Sequence, residues 1–401
     1  MSILTAEQLK TDCRYFRGDI PCRPHKEHGV HCVDEAGKDC VHYDPTNKTI
    51  LIIKLGAIGD VLRTTPLLRK LKEVEPKASI WWLTLTPDVL PRSVDVILPF
   101  TPQSIATLGA VHFDVIYNLD KDKEACALCS TLSARAKKGF ILRDGKCAPA
   151  DALAGHKFLT GVFDDISRTN TKTYQEEIFE ICGFSFRGEK YMLDGGWHDF
   201  AWKLPKNKRI VGLNTGCGGR WTSRLWPDRY WVALAKKLKR AGYVPLLLGG
   251  EQEHRKNLRL AKQSGAAYLG HFPLEQFFSL VDRCELVVTA VTMAMHIAIG
   301  LQKKIVLFNN IFNKNEFECT DSVKSWNPIS TAPAFTRRPA RITACSISPS
   351  TPPSTPAHDC SNRVDDQTAD RKRLPVASGS SDDQRLARRR RHCRSRSSLL
   401  P

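Results

Sequence analysis

Apolar positions along this chain gather in short blocks rather than in long periodic stripes. Runs at 50–53, 80–85, 94–98, 115–119 and 139–142 are separated by polar stretches, of which 61–72 and 123–134 are compatible with helix. Short, mostly apolar runs regularly separated by helices predict a parallel sheet wrapped on both faces. The pattern restarts after a basic, proline-containing stretch at 205–209, which reads as a linker. Beyond it come strands starting at Ile210, at 243–248, at Leu286 and at 304–308, with a helix at 228–240. The prediction is an α/β chain of two doubly wound domains, at 49–204 and 205–320, each within the usual size of one domain. A Cys/His-rich segment (1–48) precedes them and a low-complexity stretch (321–401) follows.

Three strand-to-helix turns carry candidate chemistry. The first is Lys54-Leu55-Gly56-Ala57-Ile58-Gly59-Asp60. Glycines there let the backbone approach a ligand, and a helix N-terminus offers unpaired N–H groups to an anion. Asp60 occupies a cap position and is also a carboxylate beside an anion pocket. The spacing is neither G-x-G-x-x-G nor a P-loop, which disfavours nicotinamide and ATPase chemistry. Arg63 and Thr64, one turn further, are candidates to meet acceptor anions. Lys54 reads as an exposed or snorkelling side chain, and Asp120 and Lys121, at another strand end, stay unassigned.

The second turn runs from Thr215 through Gly216, Gly218 and Gly219 to Thr222 and Arg224. Its glycines suit a pyrophosphate, its hydroxyls can donate, and the arginine fork matches phosphate oxygens. Trp226, before Pro227, reads as packing at a helix entry. The third unit spans 286–300 and contains Thr292 and His296. Taken alone, such a histidine on an apolar helix is a core residue.

The phrase at 53–68 closely resembles the opening of the family 9 glycosyltransferases, the ADP-heptose:lipopolysaccharide heptosyltransferases, and the resemblance extends over about 49–318. It implies a GT-B fold, two Rossmann-like domains facing a cleft, with Asp60 as general base of an inverting transfer. Gly56 and Gly59 would then face the donor side of that cleft. Arg224-Leu225-Trp226-Pro227 resembles the family's Lys-x-Trp-Pro, which implies that Arg224 binds donor phosphate. A carboxylate that holds the donor ribose falls at Glu253, by spacing. Thr292 and His296 match the family's Asp-Thr-Gly-x-x-His signature on the donor diphosphate, with Val291 in place of the aspartate and Met293 in place of the glycine. The implied partners are ADP-heptose and a lipopolysaccharide core acceptor, and transfer needs no cofactor. A second reading is a degenerate GT-B-like protein that binds nucleotide sugar or glycan without transfer.

Composition changes this picture at the two ends. Cys13, Cys22, Cys32 and Cys40 fall within about thirty residues, interleaved with four histidines, and predict a structural zinc site, with an iron–sulfur cluster as the alternative. The net charge of +18 is concentrated: 335–401 holds fourteen Lys and Arg against six Asp and reads as a disordered basic tail. The tail has no aromatic residue beyond Phe335, so no specific nucleic-acid partner is expected. No apolar run approaches the roughly 20 residues of a membrane span. The expectation is a cytoplasmic monomer in peripheral contact with the inner membrane, whose anionic face suits the positive charge.

Overall fold

The structure is a computed structural model that describes residues 5–193, 200–218, 222–309, 312–317 and 323–326. Its first sheet comprises β1 (Lys48–Ile53), β2 (Ala78–Thr84), β3 (Val96–Pro99), β4 (His112–Asn118), β5 (Ser133–Arg143) and β6 (Lys146–Pro149), in the order β3-β2-β1-β4-β5-β6. All neighbours pair in parallel except the β5–β6 hairpin. The second sheet comprises β7 (Ile210–Asn214), β8 (Val244–Leu248), β9 (Leu286–Ala290), β10 (Lys304–Phe308) and β11 (Val323–Trp326), all parallel, in the order β11-β10-β9-β7-β8.

β1 explains why its run is apolar without alternation. Ile50 and Ile52 point into one core with Trp82, Leu67 and Leu71, while Leu51 and Ile53 point into another with Leu83, Phe113 and Ile116. Both faces are covered, so every residue of the run is buried and contributes about 1.5–3 kcal/mol. The first of these cores continues into the second sheet through Val287, Ile297 and Ile305.

Three expectations shift. The helix expected at 61–72 is two helices, Ile58–Leu62 and Pro66–Val74. Pro66 has no N–H for the Leu62 carbonyl, and the Thr65 hydroxyl donates to it instead at 2.7 Å. The helix expected at 123–134 ends at Thr131, because Ser133 onward pairs with β4 as β5. Four residues of the stretch expected as tail form β11, an edge strand on β10; residues 327–401, and with them the rest of the tail expectation, lie outside the described residues.

The amino-terminal segment is fastened to the first sheet by Arg14. Its guanidinium pairs with Asp44 at 2.8 Å and Asp95 at 2.9 Å and donates to the carbonyls of Ala78 and Pro76. The zinc site expected at Cys13, Cys22, Cys32 and Cys40 finds no support. Among the described residues no group of three or more His, Cys, Asp or Glu is placed to hold a metal ion. These four thiols are half-buried, carry no disulfide, and stand around a cavity instead of converging on a point.

Candidate active site

The first turn places Asp60 in the helix Ile58–Leu62, just past the carboxyl end of β1. One carboxylate oxygen accepts from the Ala57 N–H at 3.3 Å, and the other faces the Arg63 guanidinium at 2.7 Å. The side chain stays about one-third exposed, at 34%. Partial burial on its own would raise the carboxyl's pKa; Arg63 first, then Lys54, outweigh it and hold the group below the usual carboxylate range.

Arg63 is the hub of the site. It is 11% exposed, pairs with Asp60 and, at 2.9 Å, with Glu316 from beyond β10, and lies 3.6 Å over the Tyr174 ring. Burial works against its charge, but the two carboxylates prevail and raise its pKa. Thr64 is buried beside it: its hydroxyl donates to the Asp60 carbonyl at 2.7 Å and meets the Tyr174 hydroxyl at 3.3 Å.

Lys54 is neither exposed nor snorkelling. It is 5% exposed and ion-paired with Asp120, whose second oxygen accepts the Leu55 N–H. β1 and β4 are neighbours, so their carboxyl ends bring these two residues together. The pair anchors the turn that carries Gly56. Pairing was the missed signal: a lysine at one strand end and an aspartate at the adjacent one can neutralise each other under a loop.

In the second half, Thr215 is buried and donates to Asn257 at 2.6 Å. Gly216 faces Glu253 so closely that a Cβ would stand 2.2 Å from its Oε1. Glu253 accepts the Gly250 N–H at 3.0 Å. Gly218 has φ 72°, the left-handed region that glycine enters without penalty. Thr222 is exposed in a 3-10 turn that ends at Arg224; Gly219 lies outside the described residues. Arg224 donates to the Val291 carbonyl and stacks over Phe312 at 4.9 Å. Trp226 is 8% exposed and packs on Tyr230, Trp231 and Phe308.

Thr292 stands at the N-cap position of the helix Met293–Gly300 without a capping bond from its side chain; its hydroxyl accepts from Asn214 at 3.2 Å and meets Thr289 at 3.1 Å instead. His296, four residues on, turns away from the glycine loop toward the first half. Its Nδ1 lies 3.2 Å from the Tyr191 hydroxyl and its ring abuts Gly59. Burial first, then Arg63, push its pKa down to about 3 against the opposing pull of Asp60, so the ring is neutral at physiological pH. The helices of Asp60 and His296 are thus packed on one another.

Sequence reasoning missed three residues here. Asn214 holds Gly216, Thr289 and Thr292 together through one amide, and Asn257 ties Thr215 to β8. Lys256 donates to the Thr215 carbonyl at 2.9 Å and brings a cation under the loop. Asn214 stands at the entry of the glycine-rich turn, and Asn257 and Lys256 lie on a helix outside it. The only trace was a polar residue at the end of a buried strand, or on the buried face of a helix.

Residues 185–316 match the model of glycosyltransferase family 9 (heptosyltransferase). Among solved structures, the chain is similar to the glycosyl transferase family 9 protein from Veillonella parvula, at 18% identity over 70% of this chain and 86% of that one, with a TM-score of 0.55. It is also similar to E. coli ADP-heptose lps heptosyltransferase II, at 17% identity over 69% and 90%, TM-score 0.52, and to E. coli heptosyltransferase WaaC with ADP, at 17% identity over 69% and 90%, TM-score 0.50. At these identities the likeness speaks for the fold, the GT-B pair of parallel-sheet units. No curated protein matches the sequence.

Proposed function

We propose, from the match of residues 185–316 to glycosyltransferase family 9 (heptosyltransferase), that the chain is a transferase of that family that moves heptose from ADP-heptose to the inner core of lipopolysaccharide, with inversion and with Asp60 as general base. The carrying observation is that the Asp60 helix packs directly on the helix Met293–Gly300, so a base on one sheet borders the donor-type loop and helix of the other. An ADP-linked donor is supported by WaaC, which has been solved with ADP and with ADP-2-deoxy-2-fluoro heptose.

Transfer requires that the acceptor hydroxyl lose its proton as it attacks the anomeric carbon, while the leaving diphosphate gains charge. Asp60 is ionised and partly exposed, and so can take that proton. While Arg63 holds it, Asp60 is a weak base. A phosphate or carboxylate on the acceptor would compete for the guanidinium and strengthen the base at the moment of attack. Thr64 supports this arrangement by holding Tyr174 beneath Arg63.

On the donor side, the loop that starts at Thr215, Arg224 and Lys256 supply N–H groups and positive charge for the diphosphate, with Gly56 leaving room on the facing turn; Gly59, assigned to the donor from the sequence, instead gives its space to the His296 ring. Glu253 accepts the ribose hydroxyls, Thr292 orders the helix end, and neutral His296 positions the two helices against each other. No helix among the described residues is long and apolar enough to cross a membrane. We take the protein to act as a cytoplasmic monomer touching the inner membrane through its basic surface.

The test is acceptor-dependent release of ADP from ADP-heptose, with deacylated core oligosaccharide as acceptor, compared between wild type and Asp60→Asn. Loss of about 10²–10⁴-fold in turnover with donor affinity kept is expected of a general base. Equal turnover by the two proteins refutes the role of Asp60. The second reading, binding without transfer, is favoured by Val291 and Met293 at signature positions; donor binding with no acceptor-dependent release would establish it.

A further inference from the structure

The end of the second sheet away from the donor-type loop carries positive charge without partners. β7 and β8 begin there, at Ile210 and Val244, and the five residues of β7, about 16 Å, separate that end from Thr215. Lys203, Lys208 and Lys239 stand around a groove of about 340 Å³, a volume within the usual range of a small-molecule pocket. Among the described residues no Asp or Glu lines this groove, and none of the three lysines has an ion-pair partner. Lys206, Lys236, Lys237, Arg240 and Lys262 lie exposed on the flanking segments. Glu285, whose N–H donates to the Ile210 carbonyl, is already taken: Arg209 donates to both its carboxylate oxygens, at 2.5 and 2.6 Å.

The walls of the groove are held by backbone bonds. The Val244 N–H donates to the Arg209 carbonyl at 2.9 Å, and the Ala267 N–H to the Pro245 carbonyl at 2.9 Å. Gly265 closes the helix His254–Ser264 in the left-handed region, at φ 68°. A Cβ on it would stand 2.5 Å from the Lys239 ammonium, so the bare glycine is what lets that cation lie against the helix end. Carbonyls at a helix carboxyl end favour a cation, which fixes Lys239 in place. Leu204, Pro205, Val244 and Pro245 supply an apolar lining. A cleft of one charge sign with low-dielectric walls focuses the field on a counter-ion.

We propose that this groove is a second anion site of the chain and takes a phosphate ester. Lysine ammonium groups meet phosphate as point charges, and the apolar lining suits the carbon skeleton behind it. The headgroup of an anionic phospholipid and a soluble phosphate compound share that chemistry. The site lies at the far end of the sheet from the glycosyl-transfer machinery and does not depend on Asp60.

The test is hydrogen exchange of the full chain, read peptide by peptide by mass spectrometry, with pyrophosphate, with vesicles of phosphatidylglycerol in phosphatidylcholine, and with vesicles of phosphatidylcholine alone. Slower exchange across 203–209 and 239–245 is expected with pyrophosphate or with the phosphatidylglycerol vesicles, weakening as salt rises from about 0.05 to about 0.5 M. A response to pyrophosphate assigns the site to a soluble phosphate compound; a response to the phosphatidylglycerol vesicles alone assigns it to a headgroup. Lys203→Ala, Lys208→Ala and Lys239→Ala together should raise the apparent Kd about 100-fold, roughly fivefold for each lysine beside an anionic surface. Arginine at the same three positions should restore binding. Unchanged exchange in both peptides with the two phosphate probes, equal protection by phosphatidylcholine alone, or protection confined to the donor-type loop or to 327–401 would each overturn the proposal. So would protection by a DNA duplex with none by the phosphate probes, or protection that survives the triple alanine change. The wild-type exchange pattern decides the matter even where the alanine variant fails to fold.

Discussion

Gly59→Ala probes how tightly the two sheets are joined. A Cβ at this position would stand 2.5 Å from Cδ2 and 3.2 Å from Nε2 of His296, where carbon atoms normally rest about 3.5–4.0 Å apart. About 1 Å must therefore be found. The ring has little freedom to supply it, because it is 6% exposed, bonded to Tyr191 at 3.2 Å and stacked on that ring with 17° between planes. Overpacking of this kind costs about 1–3 kcal/mol, and about 2–4 °C is lost per kcal/mol in chains of some 150–250 residues. Thermal unfolding followed by near-ultraviolet circular dichroism should show a fall of about 2–12 °C. Adding His296→Ala removes the clash, so the double variant should be more stable than the sum of the single losses by at least about 0.5 kcal/mol. Losses that simply add, or a Gly59→Ala protein that melts with wild type, would refute the contact.

Lys54→Met leaves Asp120 buried without its ion-pair partner and should cost about 3–5 kcal/mol in urea unfolding; a loss under about 1 kcal/mol would mean the pair is not desolvated. The folded pKa of His296, about 3, lies below its ordinary 6.5, so the unfolded chain takes up the proton first as pH falls. Stability is complete above about pH 6.5 and drains away toward pH 3, by about 2 kcal/mol at pH 5; replacing His296 with glutamine should flatten that slope, and an unchanged slope would sink the assignment. The pKa of Asp60 is lowered, so the acid limb of kcat/KM should fall below the usual carboxylate range and move upward in Arg63→Gln, whereas a limb unmoved by that change would separate Arg63 from the base.

Much of the fold was legible because parallel strands buried on both faces need short, mostly apolar runs. β1, β4, β9 and β10 appear in the sequence for that reason. β6 and β11 did not, since their four-residue runs, Lys146–Pro149 and Val323–Trp326, mix polar with apolar residues. The break at Pro66 was readable in principle, but the apolar spacing on either side masked it. Asp60 and the glycine turns could be found locally, because a strand, two glycines and a cap lie within a dozen residues. The hub around Arg63 could not. Glu316 is 253 residues away, and Tyr174, Tyr191 and Lys256 meet the site only through tertiary packing. His296 was recognisable, yet the direction of its ring, toward Gly59 rather than toward the loop, follows from a cross-sheet contact that no local pattern encodes.

The segment beyond β10 has a mechanical consequence. Asn313 donates to the carbonyls of Ser167 and Asn170, Asn315 donates to Asn170, and Glu316 grips Arg63. The second half therefore holds the first at a point far along the chain from the 205–209 crossing. Were the halves to part, Glu316 would leave with its own half, and Arg63 would be left with Asp60 as its one carboxylate. The guanidinium is in effect a shared currency between posture and proton affinity: apart, it is spent on silencing the base; together, it is divided, and Asp60 is freer to act.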